Sequence, residues 1–435
     1  MPPSEVRLSV LTLNCWGLLL PNHRQHRMRT IGQHMLEASP GYDIVGLQEV
    51  WAPQDFLLIR EIVKDVLPFS KLWTSGLFGS GLATFSKYPI VSSSLTRFSL
   101  NGDPWPVWQG DWYDGKSCGS VVVAHPLAGE IEVFNTHLGD FNSPPRSLAV
   151  GLLTHYGRLT DSWDSLHPLP RGPLPRNLTP AQGVALLGIT CDTPLNSWTS
   201  ESTWVNEISR DPIGERLDYI FYNASSEFKC LQSDVVLREK VPGVGGPDAP
   251  WINMSDHYAV HSVFSVKAID SMSPRLLPSS VMPSLNNKSS NTHGVTELLE
   301  QALSILQQHL QRAQLKSTRM MYVVSPLLLL TTVGLMIGSF WIDFEPRWTL
   351  LLVTMGVSVL TIGWVVSFCY GFFYGGETIS AFTNVVQEVQ LALENERGFV
   401  VLNSNHHQSH LLREGPLLVD RAQVTPMPEG GPIRL

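Results

Sequence analysis

The chain has no CxxC pair: its five cysteines, Cys15, Cys118, Cys191, Cys230 and Cys369, stand far apart. Such spacing offers neither a zinc site nor a disulfide framework and fits a reducing compartment. An excess of basic charge is missing too, since 30 Lys and Arg against 38 Asp and Glu leave a formal charge of -8. Proteins that capture nucleic acid broadly neutralise many phosphates with Lys and Arg, so this balance argues against nucleic acid as a partner. Met1 to Leu13 lacks the basic start, long apolar run and small-residue cleavage site of a secretory signal. It reads as a β-strand, and the front of the chain is expected to face the cytosol.

Composition divides the chain into regions. Residues 6–266 alternate short apolar strands with turns and helices, the pattern of a mixed α/β domain. A linker, 267–294, is rich in Ser, Pro and Asn and poor in bulky hydrophobes. Residues 295–320 place Leu298, Leu299, Ala302, Leu303, Leu306 and Leu310 at helical spacing. Tyr322–Trp341 and Trp348–Tyr370 are nearly free of charge. Each is long enough to cross a bilayer, which takes roughly 20 apolar residues, so a transmembrane hairpin is expected. Arg312, Lys316 and Arg319 precede the first span, whereas the connecting turn sets Asp343 and Glu345 against Arg347. This asymmetry predicts that both ends of the hairpin, and the tail 371–435, face the cytosol. The sequons at Asn177, Asn223, Asn253 and Asn287 then read as chance matches.

Within the α/β region, chemistry-bearing residues recur beside strand-like runs, where ligand sites gather in open sheets. Asn14 closes Leu8-Ser-Val-Leu-Thr-Leu, and Glu49 closes Ile44-Val-Gly-Leu-Gln. A carboxylate buried without a partner costs several kcal/mol, so a hard cation such as Mg²⁺ would suit Glu49. His137 ends Ile131-Glu-Val-Phe-Asn-Thr, followed at once by Asp140 and Asn142. Farther on come Asp218, before Tyr219-Ile220, and the run Ser255-Asp256-His257. Each element alone has a structural explanation, a turn-closing amide or a solvated charge; the ordered set is what chance would rarely assemble. His125 and His155 sit in no such motif and read as ordinary surface or core residues.

In this order the residues resemble the endonuclease/exonuclease/phosphatase superfamily. Asn14-Cys-Trp-Gly, Gln48-Glu-Val-Trp51, Ser86-Lys-Tyr-Pro-Ile90 and Gly110-Asp-Trp112, together with the two-span tail, resemble its neutral sphingomyelinases. The resemblance implies a DNase-I-like α/β sandwich, two packed mixed sheets flanked by helices. It implies Mg²⁺-dependent hydrolysis of a phosphocholine-headgroup lipid beside a bilayer, sphingomyelin giving ceramide and phosphocholine. It further implies that Glu49, Asn14 and Asp256 attend the metal, that His257 is the base oriented by Asp218, and that Asp140, Asn142 and His137 serve the transition state. Lys116 would contact phosphate, with a solvated loop lysine as the plainer reading. An endoplasmic-reticulum or nuclear-envelope membrane is the implied location.

The sequence departs from that pattern in one place. The family carries the Thr-His and Gly-Asp-x-Asn motifs on different strands joined through a helix, yet His137 and Asp140 are three positions apart. A crossover between parallel strands needs a dozen residues or more, so one internal helix-strand unit is expected to be missing. A catalytically silent membrane protein therefore stands beside the hydrolase as an alternative, and a nuclease of the same superfamily as a further one.

Overall fold

The computed structural model describes residues 5–18, 23–75, 80–100, 102, 115–137, 143–169, 174, 177–199, 205–225, 227–244, 250–268, 292–341 and 348–411. Asp140, Asn142, the Gly110-Asp-Trp112 block, nearly all of the linker and the turn 342–347 lie outside these residues.

The larger sheet has six strands, and its centre explains its two-sided core. It is built from β1 (Glu5–Asn14), β2 (Ile44–Gln48), β3 (Phe69–Leu72), β4 (Ala83–Ser86) and two strands from the far end of the domain. Strand β1 alternates strictly. Leu11 and Leu13 face one core, while Leu8 and Val10 face the other. On the first side, helices α1 (Arg24–Glu37) and α2 (Pro53–Val63) cover the sheet. They bury Met28, Ile31 and Met35, and Phe56, Ile59 and Val63, at the i, i+3, i+7 spacing of one helix face.

On the second side lies a three-stranded sheet in the order β5 (Ile90–Arg97), β6 (Ser117–His125), β7 (Gly129–Thr136). Val121 and Val123 of β6 pack there against Leu8, Ile44 and Trp73. The capped helix α3 (Pro180–Leu187) follows, with Gly188 at φ 66 ending it against the Trp163 ring. Strands β8 (Thr160–Asp161) and β9 (Phe221–Tyr222) pair only with each other. Among the described residues β7 is thus an edge strand, with Phe134 63% exposed. Then come β10 (Phe228–Val236), the hairpin β11 (Lys240–Pro242) and β12 (Trp251–Asn253), and β13 (Ala259–Lys267). Strand order in the large sheet is β10-β13-β1-β2-β4-β3, with β1 and β2 parallel and in register at Asn14 and Gln48. Asn14 and, one residue past Gln48, Glu49 therefore emerge side by side at the carboxyl ends of adjacent parallel strands.

Beyond the domain, α4 (Thr292–Arg319) does not stop at the start of the first apolar run. It continues through a wider turn, Met320–Val324, into α5 (Ser325–Ser339). Helix α6 (Trp348–Cys369) likewise runs through Tyr370–Tyr374 into α7 (Gly375–Leu411). Helix α7 packs along α4, with His309 stacked on Phe382 and Arg397 paired to Glu300. The apolar side chains of α5 and α6 point outward: Leu330 is 69% exposed and Val359 67%.

Candidate active site

The site begins with a clamp between the two sheets. Asn135, next to the end of β7, is buried and donates to the carbonyls of Leu47 (3.1 Å) and Ala83 (2.9 Å), while Gln48 Nε2 donates to its Oδ1 at 2.7 Å. An amide left unpaired here would cost about 1–3 kcal/mol, so the three bonds fix the end of β7 against the end of β2. Two residues later His137 arrives over Glu49, Nε2 to Oε1 3.3 Å. Asn14 Nδ2 donates to the same oxygen at 2.8 Å, and Asn14 Oδ1 accepts from the Trp16 amide at 2.9 Å. Because Asn14 Nδ2 is a donor at this point, His137 can place Nε2–H on the same carboxylate oxygen.

Backbone conformation is specialised where these residues turn away from the strands. Glu49 (φ 56) and Trp16 (φ 47) both occupy the left-handed region, which costs of order 1–3 kcal/mol for such residues and concentrates at functional sites. Gly17 is required by close approach, since a Cβ there would run into the Glu49 carbonyl. Burial would raise the Glu49 carboxyl, but hydrogen bonding and charge from His137, with Asn14 and His257, hold it down at about 2.

A second group closes from the other end of the chain. Ser255 Oγ donates to the Asn14 carbonyl at 2.6 Å, tying the Ser-Asp-His turn to β1. Asn196 Nδ2 reaches the carbonyls of Ser255 (3.0 Å) and Asp256 (3.1 Å) from a separate loop. The Asp256 carboxyl is raised, first by burial and then by the nearby charge of Glu49, against the pull of His257. His257 Nδ1 donates to Asp218 Oδ2 at 2.8 Å. Burial alone would lower His257; the Asp218 carboxylate outweighs it, helped by Cys191, and the imidazole is raised well above its ordinary value. The Asp218 amide itself donates to Thr190 Oγ1 at 3.3 Å.

Of the residues read from sequence, Asn14, Glu49 and His137 meet directly, Asp218 and His257 form a pair, and the Asp256 carboxyl feels the charges of both Glu49 and His257. Lys116 is only 7% exposed, immediately before β6, so the solvated-lysine reading does not hold. His125 serves a turn, its Nδ1 accepting from the amides of Leu127 and Ala128, in keeping with its plain reading. Asn253 is fully buried, with its amide nitrogen donating to the Arg238 carbonyl.

Two neighbours escape the sequence. Cys191 Sγ lies 3.4 Å from His257 Nε2, and nothing in the spacing of lone cysteines signals that contact. Arg27 is fully buried beneath Trp16, its guanidinium 4.8 Å from the ring centroid. It donates to the carbonyls of Cys15 (2.9 Å), Trp16 (2.8 Å) and Met254 (3.0 Å), joining the Asn14 turn to the His257 turn. Its place beside Met28 on the apolar face of α1 was the available signal.

Oxygen donors of this kind suit a hard divalent cation. Glu49 is held ionised, and Asp256 and the Asn14 amide adjoin it, although among the described residues no three His, Cys, Asp or Glu side chains form a ready-made cage. Mg²⁺ takes one or two carboxylates and keeps several waters, so it needs no such cage.

The description "Endonuclease/Exonuclease/phosphatase family" matches residues 11–257. The chain is 30% identical over 427 residues to an inositol phosphosphingolipids phospholipase C of Schizosaccharomyces pombe, covering 88% of this chain and 93% of that protein. It is 28% identical to human sphingomyelin phosphodiesterase 2, over 52% of this chain and 58% of that one. Among solved structures, a sphingomyelinase C from Streptomyces griseocarneus aligns with a TM-score of 0.38 at 19% identity, over 59% of this chain and 99% of that chain.

Proposed function

Because the chain belongs to the endonuclease/exonuclease/phosphatase family, we propose that it is a membrane-tethered, Mg²⁺-assisted phosphodiesterase that hydrolyses sphingomyelin to ceramide and phosphocholine. The observation that carries this reading is the meeting of Asn14, Glu49 and His137 within hydrogen-bond reach, with the charge of the Asp218-paired His257 felt at Glu49.

Each residue has a separate task. His257 takes the proton of the attacking water at Nε2, the nitrogen beside Cys191 Sγ, while Asp218 holds Nδ1 and stabilises the resulting imidazolium. The Nε2–H of His137, buried at the foot of the site and resting on Glu49, passes to a phosphate oxygen as negative charge develops there. Lys116 supplies a fixed cation on the β6 side. Glu49 and Asp256, with the Asn14 amide, would hold Mg²⁺. When bound, the ion neutralises charge on the phosphate oxygens and so favours attack at phosphorus. Asp140 and Asn142 are assigned to the same transition state on the family pattern alone.

Outward-facing apolar side chains on α5 and α6 support the membrane hairpin. The 22 residues of α6 span roughly 33 Å at 1.5 Å per residue, against about 30 Å of hydrocarbon. In this reading the domain faces the cytosol beside an intracellular membrane, and tethering keeps the site at a high effective concentration of lipid. A lyso-phosphocholine lipid would fit the same chemistry. The catalytically silent alternative draws on the small sheet ending at β7 among the described residues. Release of phosphocholine from sphingomyelin vesicles by the full chain, with DNA cleavage assayed alongside, tests the proposal. Phosphocholine without nicked DNA is expected; DNA cleavage without phosphocholine would favour the nuclease, and neither product the silent protein.

A further inference from the structure

The imidazole of His257 is gripped from both sides. Asp218 Oδ2 holds Nδ1 at 2.8 Å, and Cys191 Sγ lies 3.4 Å from Nε2. The proton of the attacking water must therefore arrive at a nitrogen that already has a neighbour. Placement of that neighbour is built into the fold. Helix α3 ends at Gly188, and the residues after it run as a strap between the turn that carries Asp218 and the turn that carries His257. Thr190 is fully buried, and its Oγ1 accepts from the amides of Leu217 (3.1 Å) and Asp218 (3.3 Å). Its carbonyl accepts from the amide of Tyr258, the residue after His257, at 2.8 Å. Cys191 pairs with Glu215 through two backbone bonds of 3.0 and 3.1 Å. One short segment thus ties both turns together and sets the sulfur against Nε2.

Sulfur suits this position because of what it does not do. A thiol is a weak donor and a weak acceptor, so its S–H leaves the Nε2 lone pair open to water. After proton transfer the same sulfur can turn its hydrogen away and accept from Nε2–H. A hydroxyl would occupy the lone pair more firmly, and a carboxylate would keep the imidazole protonated. Burial pushes the Cys191 thiol up to about 11, so near neutrality it stays S–H and forms no ion pair with the base. We infer that Cys191 is a positioning residue for the hydrolytic reaction, its sulfur fixing the ring of His257 at the working nitrogen while leaving that nitrogen able to take a proton. The inference rests on the phosphodiesterase reading given above. It gives a buried cysteine a role that needs no thiolate, in keeping with surroundings that disfavour a reactive one.

The test combines phosphocholine release by the full chain with carbethoxylation of His257 by diethyl pyrocarbonate, read by peptide mass spectrometry, which needs no turnover. Cys191→Ala should lower kcat about tenfold or more with KM unchanged, the usual range for losing a group that orients a functional one. Cys191→Ser, closer in size but a stronger donor, should cost at least as much, whereas a packing role would make it the milder change. Asp218→Asn combined with Cys191→Ala should fall by less than the product of the two single losses, because both grips act on one ring. Carbethoxylation of His257 should quicken severalfold in Cys191→Ala. Cys230→Ala, at a buried cysteine of the second core, should change neither readout. Parent-like kcat in Cys191→Ala, a milder loss in Cys191→Ser, multiplicative losses in the double variant, or equal carbethoxylation of parent and Cys191→Ala would overturn the proposal. Should Cys191→Ala not fold, Cys191→Ser decides alone, and a parent-like kcat overturns it. A parent that releases no phosphocholine, yet whose His257 is shielded by Cys191, sinks the phosphodiesterase reading and leaves the grip on Nε2 standing. An active parent unmoved by either Cys191 change sinks the positioning role alone.

Discussion

His137 Nε2 stands 3.3 Å from Glu49 Oε1, joining the residue after the last strand of the small sheet to the residue after a central strand of the large one. The contact depends on sheet packing, so the geometry of the site reports on the whole sandwich. It also makes Glu49 a carboxylate at any pH near neutrality, since the group is held at about 2.

Asn14 is a positioning residue for that carboxylate. Asn14→Ala should lower turnover by about 10–100-fold, the usual cost of losing a partner that orients a metal-binding group. Asn14→Asp would set a second negative charge 2.8 Å from Glu49 Oε1 and should weaken Mg²⁺ retention less than it distorts pH dependence. Mg²⁺ titrations of activity in both variants check this; parent-like constants in Asn14→Ala would remove Asn14 from the site.

The pH profile should report the Asp218–His257 pair. His257 is raised above 6.5, and a base works only after losing its proton, so activity should climb with pH to an inflection above that ordinary value. Asp218→Asn removes the charge that raises it. The inflection should then move to lower pH, while the plateau falls by roughly 10²-fold or more. An unmoved inflection would assign the titration to another group.

Much of this constellation was legible from sequence because each member closes an apolar run. Asn14, Glu49 and His137 all sit where alternation stops, and parallel pairing of β1 with β2 brings the first two together. Cys191 was not legible. It reaches His257 across 66 residues by loop closure, which no local period encodes. Nor was the role of Arg27, because a helical arginine reads as solvated until three carbonyls from two turns converge on it. The continuous helices read as separate pieces in sequence because hydropathy changes near Tyr322, whereas the backbone only widens for one turn at Met320–Val324 and stays helical.

Removing Arg27 should cost stability more than chemistry alone would suggest. Arg27→Met leaves the Cys15, Trp16 and Met254 carbonyls without this donor, a loss of about 3 kcal/mol or more. Urea unfolding of the variant should show the lower midpoint. An unchanged midpoint would mean that these carbonyls find water or other donors.

Glu215 provides an independent pH signature. Burial raises it from 4.5 to about 7, although the Glu207 amide donates to it at 2.8 Å. A carboxyl with a raised folded-state pKa binds its proton more tightly when folded. Its contribution is therefore complete below about 4.5 and is lost as pH rises through about 7. Glu215→Gln should flatten the decline of stability across that window. Urea midpoints that fall equally in parent and variant would contradict the assignment.

The central claim is that oxygen ligands around Glu49 hold a divalent cation that hydrolysis requires. The direct measurement is phosphocholine release from sphingomyelin vesicles by the full chain, before and after chelation, with Mg²⁺ restored and with Glu49→Gln in parallel. The account predicts release that stops on chelation, returns with Mg²⁺, and stays at least about 10²-fold lower in Glu49→Gln. Undiminished release from the chelated protein, or from Glu49→Gln, would contradict it.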